Sequence, residues 1–159
     1  MKTNRKTTSE TDKKILAWHV VGHDRRLNRP HNGSRCKVKK GLRLSIPTDH
    51  RTHLCVSGLH ASVRLQDALR YFWVNTTCRR AAQNYGPSRV ICRVELHGDI
   101  KKESDKMCAR HRKVLAWLRI TPKQWARMGA ADWIKVTQKH ERLILKRMGL
   151  IKPRKRITK

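Results

Sequence analysis

Apolar residues recur along this chain in short runs parted by turn residues, and the spacing within each run predicts an element. Residues 15–21, "ILAWHVV", are β-branched and aromatic and read as a buried strand that Gly22 and Asp24 end. Residues 53–59 predict a second core strand, with Gly58 turning it and His60 at the joint before a helix. Ser62 is the expected N-cap, since its hydroxyl can accept from a free helix N–H. Leu65, Ala68, Leu69 and Phe72 follow at helical spacing on one face, while Arg64 and Arg70 point elsewhere. The stretch "CRRAAQNYGPS" suits a short helix ending before Gly86-Pro87.

Residues 90–96, "VICRVEL", alternate. Val90, Cys92, Val94 and Leu96 share one face and Arg93 and Glu95 the other, which predicts a half-buried strand turned by Gly98-Asp99. Residues 113–120, "KVLAWLRI", predict another strand, apolar on both faces. Thr121, Pro122 and Gln124 form a helix start, with Thr121 as cap, Pro122 at the first helical position and Gln124 completing a capping box; the helix should break near Gly129. A further helix is expected from about Asp132 to Met148. It carries an apolar stripe of Trp133, Val136, His140, Leu143 and Ile144, and a cationic row of Lys135, Lys139, Arg142 and Lys146.

These elements predict an α+β fold: a small, mostly antiparallel sheet with one packed helix and a helical C-terminal extension. The expected organisation is a disordered basic tail over 1–14, a core domain over 15–120, the extension over 121–148 and a basic tail over 149–159. Apolar residues are 38% of the chain, below the usual roughly 45–50%. The core is therefore small, and five Trp supply much of its bulk.

Charge changes the picture most. The 159 residues carry 39 Lys and Arg against 11 Asp and Glu, a formal net charge of +28. Such a chain repels itself unless anions neutralise it, and nucleic acid is the commonest polyanion. Residues 25–48 contain one acid-free basic segment with turns at Pro30, Asn32-Gly33 and Gly41, and short strands are expected at 36–39 and 42–46. The expected phosphate contacts are Arg25, Arg26, Arg35, Lys37, Lys39, Lys40 and Arg43, the helical row Lys135, Lys139, Arg142 and Lys146, and Lys152, Arg154, Lys155 and Arg156 of the tail. Two helices joined near Gly129 also suggest a helix-turn-helix.

Apolar runs are far shorter than the about 20 residues of a membrane span, and residues 1–14 lack the apolar region of a signal peptide. No membrane partner is expected. Five Cys in that setting suggest reduced thiols in the cytoplasm. His50, His53 and Cys55, with the Cys108-x-x-His111 pair, could make a tetrahedral zinc site. Against that, alternate strand positions and a core-facing Cys92 suit plain packing. Phosphate-loop, zincin and nucleophile-elbow motifs do not occur, and the sparse carboxylates argue against acid/base hydrolysis.

The ordered segments "AWHVV", "CVSGLHAS", "DALRY", "ICRVELHGDI" and "DKMCARHRKVLAW" resemble a family of small uncharacterised proteins from phages and bacterial genomes, over 17–117. A remoter similarity links the chain to the ADP-ribosyltransferase superfamily. His19 matches the His of its first strand, His60 stands where those enzymes often keep Tyr, and 65–71 matches the following helix. That resemblance implies that His19 holds the ribose of NAD and an aromatic stacks on nicotinamide, which makes His19, His60 and Tyr71 the catalytic candidates and NAD the cofactor. The late glutamate of those enzymes has no counterpart in "RKVLAWLRI", so an inactive fold reused for binding is equally implied. His60 alone is read first as a hydrogen-bonded turn histidine. The leading expectation is a basic protein of phage origin that binds DNA or RNA, alone or within a ribonucleoprotein, through phosphate contacts and without a cofactor.

Overall fold

The computed structural model describes residues 13–28, 35–48, 51–52, 59–76, 88–129 and 135–152. The fold is α+β and mostly strand. Its main sheet has the order β1-β6-β9-β4, built from β1 (Ile15–Val21), β4 (Arg43–Ser45), β6 (Arg89–His97) and β9 (His111–Ile120). All its pairings are antiparallel. A hairpin joins β2 (Arg26–Asn28) to β3 (Arg35–Lys37). A small sheet has the order β5-β8-β7, from β5 (Leu59–Ala61), β7 (Lys101–Lys102) and β8 (Met107–Ala109). The helices are α1 (Leu65–Thr76), α2 (Pro122–Arg127) and α3 (Gln138–Arg147).

Strand alternation divides the interior into two cores. Ala17, Val21, Val90, Cys92, Val94, Leu96 and Val114 face the hairpin and the small sheet. Trp18, Val20, Ile91 and Ile120 face the opposite way, where Leu65, Ala68, Leu69 and Phe72 of α1, Trp125 of α2 and Val136 and Ile144 of the extension cover them. The helical face expected for α1 is thus buried as a unit. The alternation expected of β6 holds from Cys92 to His97, where Arg93, Glu95 and His97 keep partial exposure, while Ile91 near its start is buried in the helical layer; β6 is one of the sheet's two inner strands. The β6–β9 register shifts between Arg93 and Val94, which pair with Ala116 and Val114. Leu115 is the extra residue of this bulge. It lets Arg112 and Val114 on one side of it, and Trp117 on the other, all face the first core.

Several expectations change where a distant partner sets the local structure. The strand is Leu59–Ala61 and runs through His60, because β8 offers its edge to Leu59, His60 and Ala61; residues 53–58 lie outside the described ones. Ser62 is not the N-cap of α1. It bridges Trp18, with backbone bonds of 2.7 and 2.9 Å, three residues before the helix starts. Glu141 of α3 performs the capping role, its carboxylate accepting from Leu65 N–H at 2.7 Å. The Thr121–Gln124 capping box forms as expected, and the chain leaves α2 through Gly129 at φ +79°. The next helix starts only at Gln138, after Thr137, so Lys135 and Val136 precede it. Residues 128–137 separate α2 from α3, and 130–134 of them, where the turn of the expected helix-turn-helix falls, lie outside the described residues. Residues 1–12, 77–87, Trp133 and 153–159 lie outside the described residues.

Val94 is 1% exposed and sits at the bulge between Ala17 and Val114. Val94→Asp places a carboxylate there without a partner and should destabilise the fold by about 3 kcal/mol or more. Urea unfolding reads this directly; a variant with an unchanged midpoint would show that the layer is not tightly packed.

Candidate functional site

Three polar residues enter the layer between the main sheet and the small strands. His19 lies on β1 between Ala17 and Val21, and pairs across to Cys92, which pairs in turn to Trp117 of β9. The residue as a whole keeps partial exposure. Surrounding protein holds its pKa well below the ordinary histidine value, mainly by desolvation, with repulsion from Arg112 and then His60 adding to it. A hydrogen bond to the His60 backbone favours the charged form and is outweighed. Arg112 of β9 is 3% exposed and its Nη1 donates to the His60 carbonyl at 3.0 Å. His19 and His60 therefore do come together, and Arg112 joins them. His60 acts here through its backbone.

The structure does not bring Tyr71 to this group. Tyr71 lies on α1, which covers the opposite face of the sheet. Its hydroxyl meets Asp105 at 3.4 Å, and Lys106 lies 5.8 Å from its ring centre. Burial, then the Asp105 charge, raises its pKa. β9 begins at His111, two residues before the strand expected from Lys113, and so takes in Arg112. The available signal was parity: Arg112 shares a face with Val114 once the strand starts one turn of the pleat earlier.

The basic residues divide into two kinds. Arg26, Lys37, Lys39, Lys40 and Arg43 are exposed around the hairpin and β4; Lys139, Arg142 and Lys146 are exposed along α3, with Lys135 and Lys152 exposed beside it. The opposite face of α3 buries His140 and Ile144. His140 is fixed by its partners: Nδ1 accepts from Thr137 N–H at 3.1 Å, and Nε2 lies 3.1 Å from the Met128 carbonyl. Arg25, expected among the phosphate contacts, is instead folded back. It takes φ +59° and lays its guanidinium 4.3 Å from the centre of the Trp117 ring. Arg35 takes part in β3, and Arg154, Lys155 and Arg156 lie outside the described residues.

The zinc expectation gains no support from the described residues, which hold no group of three metal-ligating side chains. His50, His53 and Cys55 lie outside them. Cys108 is buried in β8. His111 stacks on His97 at 4.7 Å and its Nδ1 bonds Ser45 Oγ at 2.9 Å. A Cβ at Gly98 would come 2.8 Å from the His111 ring, so that ring packs directly on bare backbone. Cys36, Cys92 and Cys108 are not joined in disulfides. No described helix is long and apolar enough to cross a membrane.

The depressed histidines make stability depend on pH. His111 is also lowered, chiefly by burial and then by His97 and Arg110. The unfolded chain protonates these rings near about pH 6.5, while the folded chain resists. Below that pH the unfolded state binds more protons, so stability should fall on acidification, each ring contributing at most about 1.4 kcal/mol per pH unit. His19→Asn should remove its share, narrowing the loss measured by denaturant unfolding between about pH 7 and 5. Parallel curves for variant and wild type would show that His19 titrates alike in both states. Comparison of the chain with protein-family models, with curated proteins and with solved structures finds no match.

Proposed function

We propose that the protein binds nucleic acid through phosphate contacts, using α3 and the hairpin region as its cationic surfaces. The observation that carries this is the state of the exposed cations. The ion pairs among described residues engage Lys14, Arg64, Lys101, Lys106 and Arg110. None of those pairs involves Lys37, Lys39, Lys40, Arg43, Lys139, Arg142 or Lys146. These side chains stay in solvent on a chain of formal charge +28, which suits neutralisation by phosphates. Contacts of this kind position a protein without reading bases, and they serve DNA and RNA alike. Cys36, Cys92 and Cys108, not joined in disulfides, support a reducing compartment such as the cytoplasm.

A second reading, an NAD-using transferase or an inactive relative of one, is favoured by the meeting of His19 with His60. The contacts of Tyr71, which are with Asp105 and Lys106, and the lack of any acid along β9 count against transfer chemistry and leave binding as its better form. Saturable NAD binding that His19→Asn abolishes would support this reading.

Lys139, Arg142 and Lys146 can all be changed to Gln with little effect on helix propensity. The triple variant should fold normally, bind duplex DNA more weakly at every sequence tested, and show a log–log salt slope shallower by up to about 2.7. Fluorescence anisotropy over a salt series measures both. Wild-type affinity and slope in the variant would exclude α3 as a contact surface.

A further inference from the structure

Arg112 is a cation in the interior. Burial brings its pKa down to about 10, which still leaves it charged at neutral pH. Nη1 has the His60 carbonyl, but Nε is buried without a partner. No described carboxylate pairs with it; the groups that bear on its charge are the thiols of Cys92 and Cys36 and the ring of His19. A buried unpaired charge is strongly unfavourable. Cys92 cannot supply the counter-charge, because burial pushes its thiol up to about 12. Arg25 repeats the pattern on the same side of the sheet: its Nε is also buried and unpartnered while its guanidinium covers Trp117. His19, His60, Cys36 and Trp117 all keep partial exposure.

We propose that Arg112, flanked by His19 and with Arg25 on the same side, is the receptor for one phosphoryl group that enters between the main sheet and the small strands. The Nε–H belongs to the edge of a guanidinium that grips two oxygens of one oxyanion. Two guanidiniums with no carboxylate call for more charge than a carboxylate ligand carries. A phosphate monoester, at about −1.5 to −2 near neutral pH, supplies it. This site is separate from the α3 surface, and its occupant is bound by a buried group.

The test uses the full chain and inorganic phosphate, titrated at a constant ionic strength of about 0.15 M to hold screening fixed. Calorimetry should show one saturable site, and the His19 ring signals in NMR should move with it. Arg112→Met should weaken binding by about tenfold or more, while the Lys139/Arg142/Lys146→Gln variant should bind phosphate as wild type does. Pyrophosphate and a pair of oligonucleotides, one 5′-phosphorylated and one 5′-hydroxyl, then separate the sources. A preference for the phosphorylated oligonucleotide that Arg112→Met removes assigns a nucleic-acid end. Equal binding of the two, with pyrophosphate displacing phosphate, assigns a small molecule. Unchanged phosphate affinity in Arg112→Met overturns the proposal. So do His19 signals that stay fixed as phosphate saturates, a readout that stands on wild type alone if the variant fails to fold.

Discussion

The rest of the structure depends on β6, an inner strand with core side chains on both of its faces. It pairs along both edges, with β1 and β9, so its backbone groups are satisfied inside the sheet. Its side chains enter two separate cores by turns. A slip of one residue would exchange the two sets, sending Arg93 toward the small strands and Val94 toward the helices. The bulge at Leu115 works within this constraint. Arg112 and Trp117 differ in parity, and only an extra residue between them lets both face the same layer. The group formed by His19, Arg112 and the Arg25-covered Trp117 therefore exists because β9 carries one residue more than β6 over that span.

The same scarcity of acids that makes the surface cationic shapes the interior. Arg25 lies over Trp117, Arg89 over Phe72 and Arg93 over Trp18. Arginine suits these places because its flat, weakly hydrated guanidinium can stack on a ring, whereas an ammonium keeps its water. Lys37, Lys39, Lys40, Lys139 and Lys146 accordingly remain outside. Arg112 differs from the stacked arginines in its enclosure: it is 3% exposed, and its Nη1 donates to one carbonyl.

The C-terminal extension is joined to the core by more than chain connectivity. Ile144 and Val136 enter the layer that α1 shares with Trp18, and Glu141 holds the first N–H of α1. A carboxylate at a helix N-terminus satisfies a free donor and complements the helix dipole. Trp125 and His140 stack at 6.1 Å between α2 and α3. With its apolar side fixed in this way, α3 must turn Lys139, Arg142 and Lys146 to solvent as one row.

The sequence by itself determined what depends on near neighbours. Alternation marked Val90, Cys92, Val94 and Leu96, the 3.6-residue period marked the buried face of α1, and the Thr121–Gln124 box marked the start of α2, because each signal acts within a few residues. The excess of cations and the exposed row on α3 were legible for the same reason, apart from Lys135, which precedes the helix. Tertiary structure alone decided the extent of β5, since a three-residue strand exists only where β8 offers it an edge. It replaced Ser62 by Glu141 as the cap of α1, across 76 positions of chain. It also gave Tyr71 the partners Asp105 and Lys106, and joined Arg112 to His60 through a backbone carbonyl. A carbonyl is common to every residue, so no residue type could announce that contact; only the packing of β5 and β9 brings it within 3.0 Å.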